Sequence, residues 1–206
     1  MAKLVEDQAP LEAPGPTRSR PRERIVASAC ELFQKHGIRG IGVDAIAEAA
    51  GTNKMTLYRH FGSKDDLIVA CLNRMVSEGA GLWDELQAAY PGDEFAQLKA
   101  FIRRVADCVT GEGSACDMSH AAVELSEAGH PARRILEEFK AAQRKRLAAL
   151  CREAGIVQAE LLADTLCLLI EGARVSRQSA GAEGPSARFM RMSEVIIDSF
   201  ARRAPG

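Results

Sequence analysis

The sequence lacks the patterns that mark zinc ribbons, disulfide-rich secreted proteins, membrane proteins and several common enzyme classes. Its six cysteines, at positions 30, 71, 108, 116, 151 and 167, form no CxxC pair. The chain shows neither a charged and apolar leader nor an uninterrupted apolar run of about eighteen residues. It also contains no HExxH, GxSxG or Walker A motif. We therefore expect a cytoplasmic protein without a membrane span, with no catalytic residues, no metal and no cofactor.

The amino-acid composition and the spacing of the apolar residues both favour α-helices. Hydrophobic residues make up 47% of the 206 positions, and strand-like alternation and internal repeats are absent. A chain of this length can bury a sizeable core. Gly79 and Gly81 leave open whether the fourth helix ends there or continues to Tyr90. The sequence predicts an all-α protein of nine helices, over 21–36, 43–50, 53–60, from 64 onward, from 94 onward, 118–127, 131–154, 160–179 and 187–201.

Charge is distributed unevenly along the chain. The formal net charge is only -1, but residues 17–64 hold nine Lys or Arg against four Asp or Glu, and residues 65–206 hold 17 against 21. The N-terminal part, which we call the head (18–66), is basic, and the remainder, which we call the body (67–206), is acidic. This distribution indicates that only the head meets a polyanion. We expect a disordered tail over 1–17, a helix-turn-helix DNA-binding domain over 18–66 and a helical ligand-binding and dimerisation domain over 67–206.

The stretch VDAIAEAAGTNKMTLYRHFG, residues 43–62, predicts two short helices joined by a tight turn. Its first half repeats apolar residues every three or four positions, and Gly51 follows where a left-handed residue commonly ends a helix. Thr52 and Asn53 can cap the second helix. That helix turns Leu57 and Phe61 inward. This order is typical of a helix-turn-helix, whose second helix enters the major groove of DNA.

Over residues 22–67 the sequence resembles the DNA-binding domain of the tetracycline-repressor (TetR) family. The segments ACELFQKHG, VDAIAEAAG, TNKMTLYRHF and SKDDL occur in that order and at the family's spacing. Gly42 departs from the pattern, since the family often places Ser or Thr there, but Gly still serves as a cap. The resemblance implies an all-helical, DNA-binding homodimer, usually a repressor, with a ligand pocket in its divergent C-terminal part.

The predicted DNA contacts lie on the second helix of the motif and at its flanks. Residues near the start of that helix are expected to meet base edges, while Tyr58 and Lys64 are expected to hold phosphates. His60 could contact phosphate or be a partly exposed structural residue. The arginines at every second position from 18 to 24 have two interpretations, a basic arm that reaches DNA or solvated charge. The full set is Gly42, Val43, Thr52, Asn53, Lys54, Met55, Thr56, Tyr58, Arg59, His60 and Lys64.

The C-terminal part offers large apolar side chains and a few polar ones for a small-molecule pocket. Asp117, His120 and Glu124 follow one another at helical spacing; three metal ligands are one interpretation, and a polar helix edge is the one we adopt. Arg174 either pairs with Glu171 or orients a ligand. The predicted pocket residues are Trp83, Phe101, Asp117, Met118, His120, Glu124, Phe139 and Arg174.

The last two predicted helices carry more apolar surface than one buried side of a helix requires. They either pack on the body of their own chain or form an isologous four-helix interface between two chains. We expect the homodimer, because DNA binding in this manner needs two reading heads. The predicted interface consists of Leu161, Leu166, Leu169, Ile170, Phe189, Met192, Ile196 and Phe200.

These features together predict a one-component transcriptional repressor. Its dimer would bind a near-palindromic duplex operator and release it when an unknown small molecule occupies the C-terminal part. Two alternatives are a thiol-redox-sensing DNA-binding regulator, using Cys116 or another exposed cysteine, and a helical small-molecule enzyme.

Overall fold

The computed structural model describes residues 20–111, 121, 124–125 and 129–201. Every regular element within these residues is a helix, so the all-α prediction is confirmed. The tail over 1–17 and most of the helix predicted over 118–127 lie outside the described residues. The elements are α1 (Pro21–His36), α2 (Val43–Ala49), α3 (Lys54–Phe61), α4 (Lys64–Ala89), α5 (Glu94–Thr110), α6 (Pro131–Glu153), α7 (Ala159–Ala180), a 3₁₀ turn (Pro185–Arg188) and α8 (Phe189–Ala201).

Short-range signals account for where most of these helices begin. Asn53, Ser63 and Asp93 each accept a hydrogen bond from the backbone amide three residues later, at 2.9 to 3.0 Å, which satisfies a first-turn amide that lacks a helical partner. The predicted bounds of α1, α2, α3, α6 and α7 agree with the structure to within one residue. The helix predicted over 187–201 differs, because it begins as a 3₁₀ turn at Pro185.

The fourth helix is continuous. It runs for 26 residues through both glycines to Ala89, a length of about 39 Å. A Cβ at Gly79 would lie 3.0 Å from the Phe139 ring of α6, so the missing side chain lets α6 pack closely on α4. This helix therefore connects the N-terminal head to the far end of the body.

The helices enclose two apolar cores that share α4. The first core joins α1, α2, α3, the beginning of α4 and the beginning of α6, and it includes Ala121 and Leu125. The second joins the far end of α4 to α5, α6, α7 and α8. Leu67 and Leu72 lie in the first core, so the head packs around the first turns of α4. In the described part of the chain, no helix has both the length and the hydropathy of a membrane span.

Candidate nucleic-acid interface

The turn between α2 and α3 is fixed by backbone hydrogen bonds. The Gly51 amide donates to the Glu48 carbonyl at 3.0 Å, and the Thr52 amide donates to the Ala47 carbonyl at 2.9 Å. These two bonds form a Schellman motif, which requires a left-handed residue, and Gly51 has a φ of 61°. Asn53 then caps α3 through its side-chain oxygen. The sequence thus sets the relative orientation of α2 and α3 within four residues.

One side of α3 is buried and the other faces solvent. Leu57 and Phe61 lie in the core of the head, as the sequence predicts. Met55 is 78% exposed, and Tyr58 and Arg59 are also exposed. The Met55 thioether can meet a thymine methyl group, and the Arg59 guanidinium can meet a phosphate. The Tyr58 phenol can meet a base edge as well as the phosphate that the sequence predicts for it. This face has the chemistry that major-groove contact requires.

The remaining predicted DNA contacts around α3 differ in their surroundings. The Lys54 ammonium lies 3.0 Å from the Asp44 carboxylate, and this hydrogen bond raises the pKa of Lys54. The Val43 side chain packs against the core of the head, in line with its place on the apolar face of the first helix of the motif. Thr52, Thr56 and His60 are half-buried, whereas Gly42 is exposed at the start of α2.

Lys64, which the sequence predicts as a phosphate contact, makes two hydrogen bonds within the head. Its ammonium turns inward and donates to the carbonyls of Ile38, at 2.7 Å, and Ile41, at 2.6 Å. It also lies 5.8 Å from the centroid of the Phe33 ring. Two of its three donors therefore fasten the loop between α1 and α2, residues 37–42, to the beginning of α4. We refer to residues 37–42 as the α1–α2 loop.

Glu124 holds the same loop through a second contact. The Arg39 backbone amide donates to its carboxylate at 2.9 Å. Gly37, with a φ of 76°, leaves room for this approach, because a Cβ there would lie 2.9 Å from the other carboxylate oxygen. Glu124 was predicted only as a pocket residue, and the contact with the head follows from folding across 85 residues of sequence.

We predict that Lys64→Met lowers the free energy of unfolding by about 1.5–3 kcal/mol, the usual net contribution of hydrogen bonds made by a charged group. Methionine keeps the aliphatic stem near Phe33 but leaves the two carbonyls without this donor. Urea denaturation measures the change, with Lys54→Met as the matched control, because exposed ion pairs contribute little. An equal loss of unfolding free energy in the two variants would contradict the role of Lys64 in holding the α1–α2 loop.

Two of the arginines at every second position from 18 to 24 lie in the first turn of α1 and have partners within the head. The Arg22 guanidinium lies 5.0 Å from the centroid of the Phe61 ring, and Arg24 Nε donates to the Ala50 carbonyl at 3.4 Å. These contacts tie α1 to α2 and α3, an arrangement that neither sequence interpretation included. Arg18 lies outside the described residues.

The predicted small-molecule pocket does not form as one site. Trp83 stacks on Phe101 with ring centroids 4.7 Å apart and donates to Gln143 at 3.0 Å, so these residues pack the body. Phe139 lies with Trp83 along a separate groove of about 330 Å³. Glu124 and Arg174 line a larger cavity of about 540 Å³ next to the head. Asp117, Met118 and His120 lie outside the described residues.

The predicted dimer residues divide into core and surface groups. Leu166 and Phe189 are fully buried within their own chain, which corrects their assignment to an interface. Four others are half-buried and pack against the second core, namely Leu169, Ile170, Ile196 and Phe200. Leu161 and Met192 are exposed, as are three large apolar residues that the sequence interpretation missed, namely Leu168, Val175 and Val195.

Comparisons with known proteins agree with this architecture. Residues 25–71 match the family model of bacterial regulatory proteins, tetR family. The chain is 41% identical over 59 residues to the HTH-type transcriptional activator FasR of Mycolicibacterium smegmatis, covering 29% of this chain and 27% of FasR. It is 32% identical over 108 residues to the HTH-type transcriptional repressor KstR2 of Rhodococcus jostii, covering 52% and 49% respectively. The chain thus matches half or less of the length of these curated relatives.

A solved structure extends the likeness over nearly the whole chain. The crystal structure of the TetR-type regulator sav143 of Streptomyces avermitilis has a TM-score of 0.73 and 28% identity, covering 89% of this chain and 99% of sav143. The helix-turn-helix head and these matches place the protein in the class of DNA-binding transcriptional regulators. Residues 25–71 therefore carry the DNA-binding domain of the TetR family, the fold over the rest of the chain is that of a TetR-type regulator, and the resemblance found in the sequence is confirmed.

Proposed function

We propose that the protein is a transcriptional repressor whose homodimer binds a near-palindromic operator and releases it when a small molecule binds the body. The observation that carries the DNA-binding part is the solvent-facing side of α3, where Met55, Tyr58 and Arg59 stand exposed beside a turn of fixed geometry. Side chains on the second helix of such a motif reach base edges and phosphates. The loop contacts of Lys64 and Glu124 connect this head to the body.

An apolar stripe on α7 supports the homodimer. Leu161, Leu168 and Val175 are exposed and recur every seven residues, so they form one line along the helix. Met192 and Val195 add exposed apolar surface on α8. An unpartnered apolar line of this kind suits an isologous interface, in which the same helices of two chains pack together.

A salt series tests DNA binding. If each head neutralises about three phosphates, the logarithm of the association constant should fall against the logarithm of salt concentration with a slope of about -5. Arg59→Ala removes one exposed cation from each head and should reduce that slope by about 2. Fluorescence anisotropy with duplex DNA measures both slopes. Lys99→Ala, on α5 away from the head, is the matched control, and equal effects of the two variants would contradict the proposed interface.

Thiol sensing is a second candidate function, favoured by one contact between the head and α4. A hydrogen bond with the Cys71 side chain lowers the pKa of Cys30, with burial opposing the shift and Arg74 assisting it. Cys71 is buried and donates to the Val26 carbonyl of α1 at 3.7 Å. A hydroperoxide could oxidise these two thiols to a disulfide while it is reduced to an alcohol and water. The bond would link α1 to α4.

We predict that iodoacetamide modifies Cys30 faster than Cys151 or Cys167 at neutral pH. Burial raises the pKa of Cys151 to about 12 and also raises the pKa of Cys167, so both remain protonated where Cys30 begins to ionise. The alkylation rate at Cys30 should therefore rise at lower pH than the rates at the other two. Peptide mass spectrometry over a pH series measures the order, and faster modification of Cys167 would remove the basis for thiol sensing.

A further inference from the structure

A cavity of about 540 Å³ lies between the C-terminal end of α1 and helices α4, α5 and α7. Its apolar wall comes from Ile68, Leu72 and Met75 of α4 and from Val109 of α5. The volume falls within the usual range for small-molecule sites. The cavity borders the α1–α2 loop, since Gly37 and Ile38 contribute to its wall. A ligand here would touch the head and the body together.

Among the described residues of the cavity wall, most charged groups are cations. Arg174 and Arg177 lie one turn apart on α7 and are both half-buried, and Lys35 lies at the end of α1. Arg177 donates to the Thr110 carbonyl at 3.2 Å, which uses one of the five N–H donors of its guanidinium. Among the described residues of the wall, Glu124 is the one carboxylate, and it faces the Arg39 amide.

We propose that this cavity binds an amphipathic organic monoanion, with its apolar body against α4 and its carboxylate or equivalent oxyanion at Arg174 and Arg177. Guanidinium groups match the geometry of a carboxylate and bind it through paired hydrogen bonds. Half-burial strengthens this attraction relative to bulk water, because the effective dielectric constant is lower. A neutral ligand of the same shape gains only the apolar contacts.

A ligand bound in this cavity can also change the position of the head. An anion in the cavity shares the space with the Glu124 carboxylate, and like charges at close range repel. Displacement of Glu124 breaks its hydrogen bond with the Arg39 amide, which is one of the contacts that hold the α1–α2 loop. Because this loop leads into α2, the anion should disfavour the head position that binds operator. This regulatory step rests on the proposed repressor function, whereas anion binding does not.

Calorimetry on the full chain without DNA tests anion binding. The probes are octanoate with octanamide, and 2-naphthoate with 2-naphthamide, so each pair differs in charge at nearly constant shape. We expect each carboxylate to bind at least tenfold more tightly than its amide. Arg177→Gln should reduce carboxylate affinity at least fivefold and leave amide affinity unchanged. Arg177→Lys should give an intermediate carboxylate affinity, because lysine keeps the positive charge but lacks the paired N–H donors of the guanidinium.

The control for these variants is Arg103→Gln, which removes an exposed cation of α5 outside the cavity wall. Thermal unfolding without ligand verifies that each variant folds. Failure of both carboxylates to bind, equal affinities within each pair, or equal effects of Arg177→Gln and Arg103→Gln would each overturn the proposed site.

Operator titration tests the coupling separately. Saturating octanoate should weaken operator binding at least tenfold in the natural protein and less than threefold in Glu124→Gln, which still binds octanoate. Equal weakening in both proteins would overturn the role of Glu124. Absence of operator binding altogether would refute the proposed repressor function while leaving the calorimetric result intact.

Discussion

Replacing Leu168 with Glu is expected to raise the dissociation constant of the dimer by at least about 10⁴-fold. Leu168 is 72% exposed within one chain, so the substitution should cost the monomer little. In an isologous interface the new carboxylate lies in apolar surroundings on both chains, and an unpaired buried charge costs about 3–5 kcal/mol. Sedimentation equilibrium across a dilution series measures the change.

Val157 supplies the matched control. It is 66% exposed and lies in the connection between α6 and α7, off the stripe formed by Leu161, Leu168 and Val175. Val157→Glu introduces the same charge at similar exposure and should leave the dissociation constant unchanged. A monomeric natural protein, or equal dissociation of the two variants, would show that the stripe is not the interface.

The double substitution Met55→Ala with Tyr58→Ala is expected to lower operator affinity by about 1,000-fold or more. Each base contact typically contributes about 1–3 kcal/mol of discrimination, and a dimer makes every contact twice. Both side chains are exposed and alanine favours helices, so the free energy of unfolding should change by less than about 0.5 kcal/mol.

Affinity for a duplex of scrambled sequence distinguishes the loss of sequence-specific contacts from the loss of non-specific electrostatic binding. Because neither side chain carries a charge, binding to scrambled DNA should remain within about threefold of the natural protein. Gel-shift titrations with both duplexes give the ratio. An unchanged ratio of operator to scrambled affinity would mean that these two side chains do not read sequence.

Local features of the molecule could be predicted from the sequence because they depend on neighbouring residues. Asn53 and Asp93 indicate where helices start, because the side-chain oxygen of each accepts a hydrogen bond from the backbone amide three residues later. Gly51 indicates the turn because few other residues accept a φ of 61°. The buried side of α3 follows from the spacing of Leu57 and Phe61.

Features that depend on distant contacts could not be predicted in this way. Lys64 binds carbonyls 26 and 23 residues away, and nothing in its local sequence distinguishes that role from phosphate binding. Around Leu166 and Leu168 the helix is apolar on several sides, so periodicity alone does not say which leucine faces outward. The cavity at Arg174 likewise arises only when α1, α4, α5 and α7 meet.

Selection of binding sites from random duplex DNA by the full chain tests the central proposal most directly. A dimer with one α3 per chain should enrich an inverted repeat whose half-sites are centred one helical turn apart, about 10–10.5 base pairs, or a multiple of that spacing. Light scattering of the complex with the selected duplex should then give two chains per site. Enrichment of no motif, or of a single half-site bound by one chain, would contradict the proposal.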